Sequence, residues 1–148
     1  MKTIFPFFLV LISISALGQT TKTVSTEMDS IAAKSKCYFV AGSSGGFSGQ
    51  VTRYYFLSDG NVYRTESLMK KDSLIRHLTK KETKTVFKKL KALHLEKTEF
   101  NHPGNMTYFI EQNKKGKVST VKWGDSTKET PADISAFYKY IMDLIATH

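Results

Sequence analysis

The chain has 148 residues, 41% of them hydrophobic, and a formal charge of +9 from 22 Lys and Arg against 13 Asp and Glu. That length suits one domain with a real core, and the solitary Cys37 excludes an internal disulfide. The positive balance turns the chain away from basic partners, and no stretch reaches the roughly 20 apolar residues of a spanning helix.

Met1-Lys2-Thr3 opens the chain with positive charge, and Ile4–Ile12 is an apolar run. Ala16-Leu17-Gly18 then places small residues at the minus-three and minus-one positions of a cleavage site. This is the layout of a secretory signal peptide. It predicts export across the inner membrane, cleavage after Gly18, and a mature chain in the periplasm or outside the cell. Residues 19–36 are polar and read as a flexible leader. Residues 37–148 read as a single α+β domain.

Cys37–Ala41 reads as a short strand, and the neighbours Tyr38, Phe39 and Val40 favour a buried thiol. Four glycines in the eight residues Gly42–Gly49 predict a loop that interrupts this strand. Gln50–Leu57 alternates, with Val51, Arg53, Tyr55 and Leu57 on one face and Thr52, Tyr54 and Phe56 on the other. Asp59-Gly60 is a hairpin signal, and Asn61–Ser67 is the returning strand. Leu68–Leu78 fits either a strand or a short helix.

Thr79-Lys80-Lys81-Glu82 is a capping box. It predicts a helix to about Leu93, with Val86, Phe87, Leu90 and Leu93 as its apolar stripe. Phe100–Asn105 has turn composition. Met106–Gln112 and Lys117–Trp123 read as two strands joined by Asn113-Lys114-Lys115-Gly116. Thr130-Pro131-Ala132-Asp133 opens a last helix with proline at its first position, and Ile134, Phe137, Tyr138, Ile141, Leu144 and Ile145 form its stripe. The order hairpin, helix, hairpin, helix predicts an α+β fold: an antiparallel sheet of four or five strands with two helices on one face.

The chemistry-bearing residues are dispersed. His77, His94, His102 and His148 lack the spacing of a helical metal pair. Gly46-Phe47-Ser48-Gly49 does not have the glycine spacing of a nucleophile elbow. A phosphate cradle would need a helix after the glycines, where the sequence alternates as a strand. The expectation is therefore a non-enzyme with no cofactor and no metal.

Two surfaces remain. The aromatic residues Tyr54, Tyr55, Phe56, Tyr63, Tyr108, Phe109 and Trp123 sit on the two hairpins. They supply either a sheet face open to a protein partner or core and cross-strand pairs. The second surface is basic: Lys70–Lys97 holds ten Lys and Arg against Asp72, Glu82 and Glu96, a local excess of +7. It reads either as a solvated helix face or as a site for an anionic envelope surface through Lys80, Lys81, Lys84, Lys88 and Lys91. Nucleic acid is not an expected partner, because no aromatic platform interleaves the lysines.

Ser44-Gly45-Gly46-Phe47-Ser48-Gly49, followed directly by a strand, resembles the signature of the emfourin family, small bacterial proteins whose type member inhibits thermolysin-like metalloproteases. The capped helix, the hairpin carrying Thr107-Tyr108-Phe109-Ile110 and Lys117-Val118-Ser119-Thr120-Val121, and Pro131 before the terminal helix are similar in layout over residues 38–146. The resemblance implies a binding module acting on a metalloprotease through Ser44, Gly45, Gly46, Phe47, Ser48 and Gly49; with the signal peptide, the expectation is an exported monomer whose partner is a secreted metalloprotease. The alternative is an envelope-associated protein that binds anionic lipid or polysaccharide through the basic helix face.

Overall fold

The computed structural model describes residues 37–68 and 71–146, together with Ala32 and Ser35. The expected signal peptide and most of the leader lie outside these residues. Among the described residues six strands form one antiparallel sheet: β1 (Cys37–Gly45), β2 (Gln50–Leu57), β3 (Asn61–Glu66), β4 (Lys71–His77), β5 (Met106–Lys114) and β6 (Lys117–Trp123). Their spatial order is β4-β3-β2-β1-β5-β6. The helices are α1 (Lys80–Ala92) and α2 (Ala132–Ala146), with a short 3-10 turn at Leu95–Lys97.

The α+β class and the antiparallel sheet agree with the sequence reading; the strand count does not. The sixth strand is the ambiguous segment, now β4. Its alternation is broken by a bulge: Val62 pairs with Arg76 but Tyr63 pairs with Leu74, so Ile75 is the extra residue. That shift hides a strand from any strict period-2 reading. The opening hairpin is accordingly a four-stranded meander.

The second correction concerns the glycines. β1 does not stop at Ala41 but runs to Gly45, pairing with β2 as far as Gly45↔Gln50 and with β5 as far as Gly45↔Met106. Gly42 sits in the strand because its neighbours need the space. A Cβ there would stand 2.2 Å from the Thr52 carbonyl oxygen and 2.7 Å from the Phe109 ring. Arg53 covers the same ring at 6.0 Å.

The core lies between the sheet and both helices. Phe39, Phe56, Val62, Ile110 and Val121 from the strands meet Val86 and Leu90 of α1 and Ile134, Phe137 and Ile141 of α2. Phe39 is its centre: it stacks on Phe56 at 4.5 Å and meets Phe87 at 5.6 Å and Phe137 at 5.8 Å. α1 starts with the expected capping box, the Thr79 hydroxyl accepting from the Glu82 N–H. α2 starts at Ala132, one residue after the position expected, with the Pro131 carbonyl accepting from the Ser135 N–H.

The opposite sheet face is not an open aromatic platform. Val40, Tyr55, Leu57 and Phe109 form a second buried cluster with Ala32, flanked by Tyr38 and Tyr63. Ala32 is fully buried there, so at least this residue of the expected leader packs on the domain. Cys37 is strand-borne as expected, but at the first position of β1 it is half-buried rather than buried.

Candidate functional site

β1 and β2 are the two middle strands of the sheet, and the turn that joins them is Gly46-Phe47-Ser48-Gly49. The structure divides the six expected site residues. Ser44 and Gly45 belong to β1, with Ser44 paired to Val51 and Thr107. Gly46, Phe47, Ser48 and Gly49 form the turn itself. The Gly49 N–H donates to the Gly46 carbonyl at 3.2 Å, and the Gln50 N–H donates to the Ser48 hydroxyl at 3.3 Å.

The turn is tied at its base. Gly45 adopts φ +107, and a Cβ there would stand 2.1 Å from the Asn105 carbonyl oxygen. Only glycine meets both conditions, the positive φ and the close approach. The Gly46 N–H donates to that same Asn105 carbonyl at 2.9 Å. The entry to β5 therefore braces the turn from one side, as β2 does from the other.

Phe47 at the apex is wholly exposed, with relative accessibility of 112%. Met106 beside the base is also exposed, at 40%. A ring held in water on a short, hydrogen-bonded turn loses little conformational freedom when a partner covers it. The tip has no ionisable side chain from Gly42 to Thr52, so its chemistry is apolar and hydrogen-bonding. Asn105 and Met106 join this site only through sheet pairing, some 60 residues from the turn in sequence, and no local pattern marks them.

Under the tip, an aromatic group stiffens the sheet. Tyr138 of α2 packs edge-on against Trp123 at 5.1 Å and Tyr108 at 5.7 Å, and its hydroxyl donates to the Gly42 carbonyl at 3.2 Å. Burial, then the neighbouring Tyr108 and Tyr54, push the Tyr138 hydroxyl well above the ordinary tyrosine value.

The basic candidates form a separate surface. Lys80, Lys81, Lys84, Lys88 and Lys91 are all exposed on α1. At 100° per residue they fall within an arc of about 100°. None of the five is in an ion pair among the described residues. Lys89 lies elsewhere on the helix, over the Tyr140 ring at 5.0 Å. Glu82, the acid of α1, is turned to the cap. The Thr79 N–H and hydroxyl, and then Arg76, hold its carboxyl below the ordinary glutamate value.

Among the described residues no three His, Cys, Asp or Glu side chains gather as a metal-ligand set, and no helix is long and apolar enough to cross a membrane. No protein-family model matches the chain, and no curated protein matches it in sequence.

Proposed function

We propose that the protein is an exported binding module that presents the β1–β2 turn to a protein partner, and that it acts as an emfourin-like inhibitor of a secreted metalloprotease. The observation that carries this reading is Phe47: a fully exposed aromatic ring at the apex of a turn braced on two sides. Exposed aromatic anchors on pre-organised backbone are the usual energetic centres of protein interfaces. An uncharged tip of small residues with one ring fits a narrow apolar cleft. The neutral residues around it add no desolvation penalty for buried charge.

The site residues in this reading are Gly46, Phe47, Ser48 and Gly49, with Ser44 and Gly45 supplying the strand that aims them. The test is titration of the purified mature chain against a thermolysin-type metalloprotease. Inhibition at micromolar protein is expected. Phe47→Ala should weaken it by about 30-fold, the level of an interface hot spot of about 2 kcal/mol. Full protease activity at micromolar wild-type protein would overturn the inhibitor reading.

A further inference from the structure

At the far end of β2 from the tip, the β2–β3 turn, the end of β4 and the first turns of α1 enclose an open hollow of about 480 Å³. Asp59, His77, Lys80, Lys84 and Phe87 line it. Lys80 and Lys84 are also the first members of the lysine row, which continues through Lys88 to Lys91. From Lys80 to Lys91 the row extends about 16 Å along the helix. A concave, mixed-polarity hollow thus opens directly onto a line of lysines that make no ion pair among the described residues.

We propose that this surface binds a linear acidic polysaccharide, its uronate or sulfate groups along the lysine row and one sugar ring in the hollow. The inference is independent of the reading of the tip. Three observations select a glycan from among the polyanions. A flat bilayer can touch the row but cannot enter the hollow. The hollow contains a carboxylate, Asp59, which repels phosphate, uronate and sulfate alike but accepts hydrogen bonds from the hydroxyl edge of a sugar ring, an edge that polyphosphate lacks. Phe87 supplies an aromatic surface for the C–H face of a ring.

The hydrogen bonding in the turn fixes the groups around this carboxylate. Asp59 takes the Asn61 N–H and side-chain amide on its two oxygens, each at 2.9 Å. That fixes the Asn61 amide, so its carbonyl oxygen faces His77 Nδ1 at 2.8 Å and accepts a hydrogen bond from the Nδ1–H. Asp59 asks for donors, which sugar hydroxyls provide and a polyphosphate chain does not.

The experiment titrates the mature chain with an oligogalacturonate, a heparin-derived oligosaccharide, inorganic polyphosphate, and phosphatidylglycerol vesicles. At least one of the two acidic oligosaccharides should bind, with affinity that falls as salt rises. The triple change Lys84→Gln, Lys88→Gln, Lys91→Gln should weaken binding by about tenfold, the sum of three exposed charge contacts. These lysines are exposed, and unchanged urea midpoints would show that the fold is kept. Asp59→Asn supplies a comparison between the two polyanions. It removes a charge that repels every polyanion and weakens an acceptor that only sugar hydroxyls use, so polyphosphate should gain more affinity than the oligosaccharide, by about threefold. Failure of both oligosaccharides to bind at low salt would overturn the proposal. So would an oligosaccharide gain on Asp59→Asn as large as that of polyphosphate, or vesicle or polyphosphate binding tighter than that of either oligosaccharide, since each describes a bare charged patch.

Discussion

Replacing Phe39 or Phe47 by alanine deletes the same atoms from two opposite situations. Phe39 is fully buried, and its ring meets Phe56 from the sheet, Phe87 from α1 and Phe137 from α2. Core Phe→Ala changes cost about 3–5 kcal/mol through lost transfer energy and the cavity left behind. A site joined to the sheet and both helices has little freedom to collapse, so the upper half of that range applies, about 4 kcal/mol. Against a total stability of about 5–15 kcal/mol, this is a quarter or more of the fold, and at about 4 °C per kcal/mol it lowers Tm by about 15 °C. Phe47→Ala should change stability by less than about 0.5 kcal/mol, because the ring has nothing to lose but water. Urea unfolding of the two variants reads both numbers, provided the slope with denaturant is unchanged. A loss above about 1 kcal/mol for Phe47→Ala would mean that the ring is packed and not presented. A loss below about 2 kcal/mol for Phe39→Ala would refute its place at the junction of the three layers.

Gly42→Ala should cost about 1–3 kcal/mol, since its new Cβ meets backbone oxygen as well as the Phe109 ring; a neutral result in urea unfolding would remove the close-approach argument. Folding holds the Glu82 carboxyl below its ordinary value of 4.5. Its contribution is therefore complete above that pH and is lost as the pH falls through the lowered value. Wild type should lose stability on acidification more steeply than Glu82→Gln, and parallel pH profiles would contradict this. Tyr138 has the opposite sense: its folded value is raised above the ordinary 10.0, so its contribution is present below pH 10 and is lost as the pH rises. Ultraviolet titration should show a late-ionising phase, and Tyr138→Phe should reduce its amplitude by one tyrosine.

The helices were legible because their signals are local. Thr79 and Glu82 cap α1 within four residues, and the stripe through Val86 and Leu90 marks its buried face. The paired strands β5 and β6 were legible for the same reason: Lys115 and Gly116 have the positive φ values of a two-residue hairpin turn. β4 was not, because one bulged residue, Ile75, reverses the facing of everything after it. Arg76 is thereby turned toward the helices, where it donates to Glu82 and to the Leu144 carbonyl and joins α1 to α2. The covered far face was not legible either. Ala32 carries almost no hydrophobic signal in a polar segment, yet it fills a place under Tyr55 and Phe109.

The glycine-rich run shows why the candidate site was only half readable. Glycine serves two purposes, a positive φ and the absence of a Cβ, and composition does not distinguish them. Gly42 lies in a strand to make room for the Phe109 ring, whereas Gly45, Gly46 and Gly49 have positive φ at the turn. Separating the two roles shortens the expected loop to four residues and concentrates its chemistry on Phe47. The hollow left no local pattern at all, because Asp59, His77 and Phe87 come from three elements. Both surfaces depend on β2, which carries the tip at one end and the Asp59 turn at the other. Its eight residues span about 26 Å at 3.3 Å each. At that separation the two sites do not couple through contact, so Phe47→Ala and the lysine substitutions should act additively. A double variant that loses more at either site than the corresponding single variant would show that the two ends of β2 are one device.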